Sequence, residues 1–101
     1  MMDRVLIRFT INKELWNKFY NYMVEQEMNP GAFLRMFIHY YLNNQVNIVK
    51  INLRGETYSS CIFIKTKTRD KFKLKCLQNG LKESEVLTYF INDYLLKLGN
   101  L

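Results

Sequence analysis

Apolar and polar side chains alternate from Val5 to Ile11, with Val5, Ile7, Phe9 and Ile11 on one side and Leu6, Arg8 and Thr10 on the other. A period of two is that of a strand with one buried face. The spacing then changes. Leu15, Phe19, Tyr22 and Met23 recur at intervals of three and four, which predicts a helix running to about Gln26, with Asn12 as N-cap, Glu14 in the first turn and Trp16 at the edge of the stripe. Asn29, Pro30 and Gly31 interrupt it, because the residue before a proline avoids the α region and proline suits the first position of a new helix. From Pro30 to Asn43 the wide stripe of Phe33, Leu34, Phe37, Ile38, Tyr41 and Leu42 predicts a second helix, buried in the core.

Beyond Asn44 the pattern weakens. Val46, Ile48, Ile51 and Leu53 alternate loosely before Arg54, Gly55 and Glu56, which predicts a connector over residues 44–60 with at most a strand leading to a turn. The segment CIFIKTK then places Ile62 and Ile64 inward, with Thr66 next in that series, and Phe63, Lys65 and Lys67 outward. A helix capped by Thr66 or Thr68 follows, carrying Phe72, Cys76 and Leu77, and Asn79 with Gly80 ends it as a left-handed C-cap would. Ser84 or a neighbour opens a last helix with Val86, Leu87, Phe90, Ile91, Tyr94 and Leu95 inward. The order is strand, helix, helix, then the same again. AFLRMFIHYYL (Ala32 to Leu42) lies on EVLTYFINDYL (Glu85 to Leu95) with apolar positions matched throughout, whereas the second strand–helix junction requires a small gap in the same alignment.

Composition narrows the functional classes. A chain of 101 residues that is 49% hydrophobic can bury one shared core, so two independent domains are not expected. Its net charge of +6 favours polyanionic partners. No apolar run reaches the roughly 18 to 20 residues of a membrane span, and MMDRVLIRFTI enters the strand pattern without a signal-peptide core, so an intracellular protein with no membrane partner is expected. Cys61 and Cys76 are too few and too widely separated for a metal knuckle or a redox pair and read as ordinary thiols. His39 has no second ligand at metal spacing. With no Walker-type phosphate loop and no His paired to Cys or Ser, neither enzymatic activity nor a metal or cofactor is expected.

IRFTINKEL (Ile7 to Leu15) and AFLRMFIHYYL resemble the strand, helix start and second helix of the ribbon-helix-helix family of MetJ- and Arc-type repressors. The resemblance covers most of the chain, twice. It implies a mainly α fold with a short β-ribbon, a tandem ribbon-helix-helix (β-α-α twice) sharing one core, with a first repeat at residues 1–43, the connector at 44–60 and a second repeat at 61–101. Tandem forms also resemble small transcriptional regulators of archaeal viruses. One strand and two helices cannot close a core alone, so the strands of two copies pair into a ribbon whose inner face, Ile7, Phe9, Ile11, Ile62 and Ile64, packs on four helices. The two copies could belong to one chain or to two.

A two-stranded ribbon fits the major groove of double-stranded DNA. That assigns base contact to Leu6, Arg8, Thr10, Phe63, Lys65 and Lys67, with Arg8 suited to bidentate pairing with guanine. Leu6 and Phe63 depart from the polar residues the family usually places there. The family also holds a phosphate at the start of each second helix, which here implies Gly31 and Ala32 in the first repeat and Ser84 in the second, although Glu83 and Glu85 would oppose an anion at Ser84. In the basic run Lys65, Lys67, Arg69, Lys71, Lys73 and Lys75, half of the side chains are expected on a solvated helix flank and the rest near phosphates. The expected function is sequence-specific transcriptional regulation, with a homodimer or higher assembly on DNA. The competing expectations are a protein-interaction module, antitoxin-like or virion-associated, and a helix-turn-helix built around Pro30 and Gly31.

Overall fold

The computed structural model describes residues 3–99. Alternation from Arg4 produces strand β1 (Arg4–Asn12), which runs without a break into α1 (Lys13–Glu25). Asn12 makes that junction: its Oδ1 accepts the backbone N–H of Leu15 at 2.9 Å and so satisfies a donor the first helical turn would leave orphaned. Helix α2 (Pro30–Asn43) starts with proline at its first position and Asn29 as N-cap. After the connector come β2 (Thr57–Lys65), α3 (Thr66–Gln78) and α4 (Glu83–Lys97). The fold is mainly α with a short β-ribbon, and among the described residues no helix is long and apolar enough to cross a membrane.

The two strands form one antiparallel ribbon within the single chain, pairing Arg4 with Lys65, Arg8 with Cys61 and Asn12 with Thr57. Its inner face, Ile7, Phe9, Ile11, Ile62 and Ile64, is buried as expected and joins residues of all four helices in one hydrophobic cluster. Phe37 of α2 and Phe90 of α4 stack within it, 5.5 Å apart and 10° from parallel.

The second half corrects the sequence expectation in three places. First, β2 begins at Thr57, so residues 57–60, expected in the connector, belong to the ribbon, and only 44–56 link the halves with no strand of their own. Second, the expected gap at the second junction does not exist. Thr57 lies 53 residues after Arg4, Thr66 53 after Lys13 and Glu83 53 after Pro30, so one offset relates the elements of both halves. The offset was obscured because Tyr58 and Ser60, in TYSS, stand where the first strand has Val5 and Ile7. Ser60 is buried, and Tyr58 stacks on Trp16 at 5.8 Å. Third, neither Thr66 nor Thr68 caps α3. Lys65 is its N-cap and supplies no side-chain hydrogen bond. The first N–H of both strand-linked helices is held across the end of the ribbon, Thr66 donating to the Asp3 carbonyl at 3.0 Å and Lys13 to the Glu56 carbonyl at 2.8 Å, so α3 has this contact alone where α1 has the Asn12 cap as well.

This difference in capping has a measurable consequence. Asn12→Ala is expected to lose about 1 kcal/mol of stability, and Lys65→Asn, which supplies the missing acceptor, to gain up to about 1 kcal/mol. Urea denaturation of both variants checks it; equal midpoints would mean that tertiary packing alone holds these helix starts.

The expected left-handed C-cap at Gly80 is present, with φ +66°. Leu81 donates to the Cys76 carbonyl at 2.9 Å and Gly80 to Leu77 at 3.1 Å, closing the last turn of α3. At the equivalent place in the first half, 53 residues earlier, Glu27 takes the same backbone conformation with φ 56°, which only the tight turn between α1 and α2 imposes on a residue with a Cβ.

The connector is fastened at both ends. Lys75 turns inward over the Tyr41 ring, 4.6 Å from its centroid, and donates to the carbonyls of Tyr41 and Asn44, the latter at 2.9 Å. At the far end Asn12 Nδ2 donates to the Arg54 carbonyl at 3.1 Å. Below this clamp Asn79 Nδ2 donates to the Tyr41 hydroxyl at 2.7 Å.

Cys76 sits in the core beside the clamp, and burial pushes its thiol up from 9.0 to about 12, with the Glu83 carboxylate adding to the rise. Burial raises the Tyr41 phenol in the same sense. The folded chain therefore keeps a proton that the unfolded chain loses, and stability is expected to fall as pH rises from about 9 towards 12. Thermal melts across that range check it: Cys76→Val should flatten the decline, and an unchanged slope would place its origin elsewhere.

Candidate nucleic-acid interface

The face of the ribbon turned away from the core presents β1 positions Arg4, Leu6, Arg8, Thr10 and Asn12 against β2 positions Lys65, Phe63, Cys61, Ser59 and Thr57. All are exposed except Leu6 and Asn12, which are half-buried. Because strand side chains alternate, burying Ile7, Phe9, Ile11, Ile62 and Ile64 leaves these residues facing solvent. Arg8 and Cys61 form the central pair, with Leu6 and Phe63 directly opposite one another beside them. Phe63 is 56% exposed.

The structure brings Leu6, Arg8, Thr10, Phe63 and Lys65 together on this face. Lys67 is a correction. It lies in the first turn of α3, exposed, because the chain turns helical at Thr66 and the alternation that would have aimed Lys67 outward ends at Lys65. Thr66, expected to continue the inward series, is the first, half-buried residue of that helix. Residues missed by the sequence reading are Arg4, Thr57, Ser59 and Cys61. The 53-residue offset, extended through the strands, would have found the last two as the equivalents of Leu6 and Arg8.

Flanking the ribbon, the first turns of α2 and α4 differ. At α2 the backbone N–H groups of Gly31 and Ala32 donate to Asn29 Oδ1 at 2.9 and 3.3 Å, so the expected phosphate anchor is occupied by the helix cap. The Arg35 guanidinium reaches across the same turn and donates to the Phe63 carbonyl at 3.3 Å, which fixes this helix start beside the Leu6–Phe63 end of the ribbon. A Cβ placed on Gly31 would meet Asn29 Oδ1 at 3.3 Å, so glycine relieves a tight approach to the capping oxygen. At α4, Ser84 is half-buried between Glu83 and Glu85. Glu85 accepts the Lys82 backbone N–H at 2.7 Å and pairs with Lys50 at 3.7 Å. An anion at Ser84 would meet two carboxylates as well as the helix N-terminus and the Lys50 ammonium.

Of the basic run, Lys65 closes the ribbon, Arg69 pairs with Asp70 at 2.9 Å and Lys75 is spent on the connector clamp. Lys67, Lys71 and Lys73 are exposed on α3. Elsewhere a cleft between the connector and α3 is lined by amide and ammonium groups, Gln45, Asn47, Lys75 and Asn79, without a nucleophile and base. No group of three His, Cys, Asp or Glu side chains suited to a metal occurs among the described residues. Cys61, on the ribbon, and Cys76, in the core, are not joined.

A scan of the chain against protein-family models and searches of curated proteins and of solved structures found no match.

Proposed function

We propose that the chain is a sequence-specific double-stranded DNA-binding transcriptional regulator, a tandem ribbon-helix-helix protein whose ribbon enters the major groove. One observation carries this reading: a two-stranded antiparallel ribbon whose outward side chains, all but Leu6 and Asn12, are exposed and include the cations Arg4, Arg8 and Lys65. The major groove admits a ribbon of this kind, and outward residues then reach base edges. The basic balance of the chain supports approach to a polyanion. Since pairing within one chain already completes a ribbon, a single chain is a sufficient reading unit, and a homodimer would place two such units on neighbouring sites. Contact with phosphates falls to Arg35, Lys67 and the exposed lysines of α3, and not to Ser84. The protein would act inside a cell, without enzymatic activity.

Fluorescence anisotropy of labelled duplexes over a series of salt concentrations tests the proposal. If about four to six phosphates are contacted, the logarithm of the binding constant should fall against the logarithm of salt with a slope of about −4 to −5. Absence of binding at low salt would remove the reading. It would favour instead a protein-interaction module.

A further inference from the structure

One offset of 53 residues relates the halves, and the ribbon pairs Arg8 with Cys61, which are themselves equivalents under that offset. A pseudo-two-fold axis therefore passes through the Arg8–Cys61 pair. It carries the Arg4–Lys65 pair onto Thr57–Asn12 and the Leu6–Phe63 pair onto Ser59–Thr10. The backbone obeys this symmetry and the outward side chains do not. On one side of the axis stand two cations and two large apolar groups; on the other stand four small, uncharged polar ones. The flanks differ in the same direction. Arg35 lies beside the Leu6–Phe63 end, whereas its equivalent, Thr88, shares a cleft with Thr10, Asn12, Glu85 and the connector. Of the cations near that second end, Lys13 pairs with Glu56 at 3.3 Å and Lys50 with Glu85 at 3.7 Å, and the exposed Arg54 shares a cleft with the carboxylates Glu14 and Glu56. Asp3, beside Arg4, does not tip this balance, because Glu56 is its equivalent.

We propose that the chain binds double-stranded DNA in one fixed direction, on a site without two-fold symmetry, and that Leu6 and Phe63 read thymine methyl groups in the half-site on their side of the axis. This rests on the DNA-binding reading above. An apolar pair on the outward face gains nothing from the hydrogen-bonding edges of bases, and the thymine C5-methyl is the apolar feature the major groove presents. A homodimer of identical strands must offer both half-sites the same residues, so its operator mirrors its symmetry. Joining two unlike strands in one chain removes that constraint. Arg4, Lys65 and Arg35 draw the phosphates to the same end, so the apolar pair and the positive field select the same half-site.

Selection from a randomised duplex library with the full chain, followed by thymine-to-deoxyuridine replacement in the selected duplex one half at a time, tests this. The expected consensus is not palindromic. Each methyl removed from the half under Leu6 and Phe63 should weaken binding about fourfold, with little change in the other half. In Leu6→Ala/Phe63→Ala, with circular dichroism reporting an intact fold, that sensitivity should disappear. A palindromic consensus with equal uracil effects in both halves, or selective binding with no uracil effect in either half, overturns the proposal and leaves the DNA-binding reading standing. Failure to enrich any duplex removes both.

Discussion

Arg8→Ala is expected to weaken binding to the preferred duplex by about ten- to a hundredfold, the range of one lost bidentate base contact, while binding to a scrambled duplex changes far less. Arg8 is exposed at the centre of the ribbon with Cys61 opposite, so no second guanidinium stands across the axis to replace it. An exposed side chain of this kind contributes within about 0.5 kcal/mol to stability, so the melting temperature should hold. Arg8→Lys separates two roles: it keeps the charge and the salt dependence, and it loses the planar fork that pairs with guanine. Anisotropy titrations of both variants against preferred and scrambled duplexes decide the matter. An equal loss on both duplexes would assign Arg8 to phosphate alone, and no loss on either would take it out of the interface.

Phe72→Ala is expected to cost about 3 to 5 kcal/mol, close to the whole stability of a small domain. The ring is fully buried, edge-on to Tyr41 at 6.0 Å, and α3 buries only Phe72 and Cys76 deeply, so few other side chains hold this helix to the core. Because residues of both halves share one cluster, the loss should not stay in the second half. Trp16 lies in α1, outside the substituted helix, and is buried against Tyr58 of β2, which makes its fluorescence a reporter of the shared core. Urea titration should show Trp16 fluorescence and far-ultraviolet circular dichroism moving together to a lower midpoint. Separate midpoints would mean that the halves unfold independently and that the shared core is weaker than its burial implies.

The periodicity of the chain was sufficient for most elements because burial of one face imposes a period of two on a strand and of 3.6 on a helix. In this way β1, α1, α2 and the inner ribbon face were legible from Val5 to Ile11 and from Leu15 to Leu42, and Ile62 and Ile64 marked β2. Periodicity failed at TYSS. There Ser60 fills an inward position with a small polar group and Tyr58 reaches the end of the ribbon to stack on Trp16, so hydropathy carries no alternation to read. The site followed the same division: which side of β1 faces outward was legible, and so were Leu6, Arg8 and Thr10. The same reading extended β2 two residues too far, to Lys67, and left Ser59 and Cys61 unnoticed.

Pairing lay beyond the reach of the sequence. That Arg8 faces Cys61 and Leu6 faces Phe63 depends on antiparallel register, which is set by the whole inner face packing on four helices and not by any local pattern. Residue order and composition sufficed for the kinds of element and for the positive charge. Closure of the ribbon within one chain, the place of Arg35 beside Phe63, the inward turn of Lys75 to the connector and the chemical difference between the two ends of the outward face came from long-range packing, because each joins residues separated by at least 28 positions, a distance over which local periodicity carries no information.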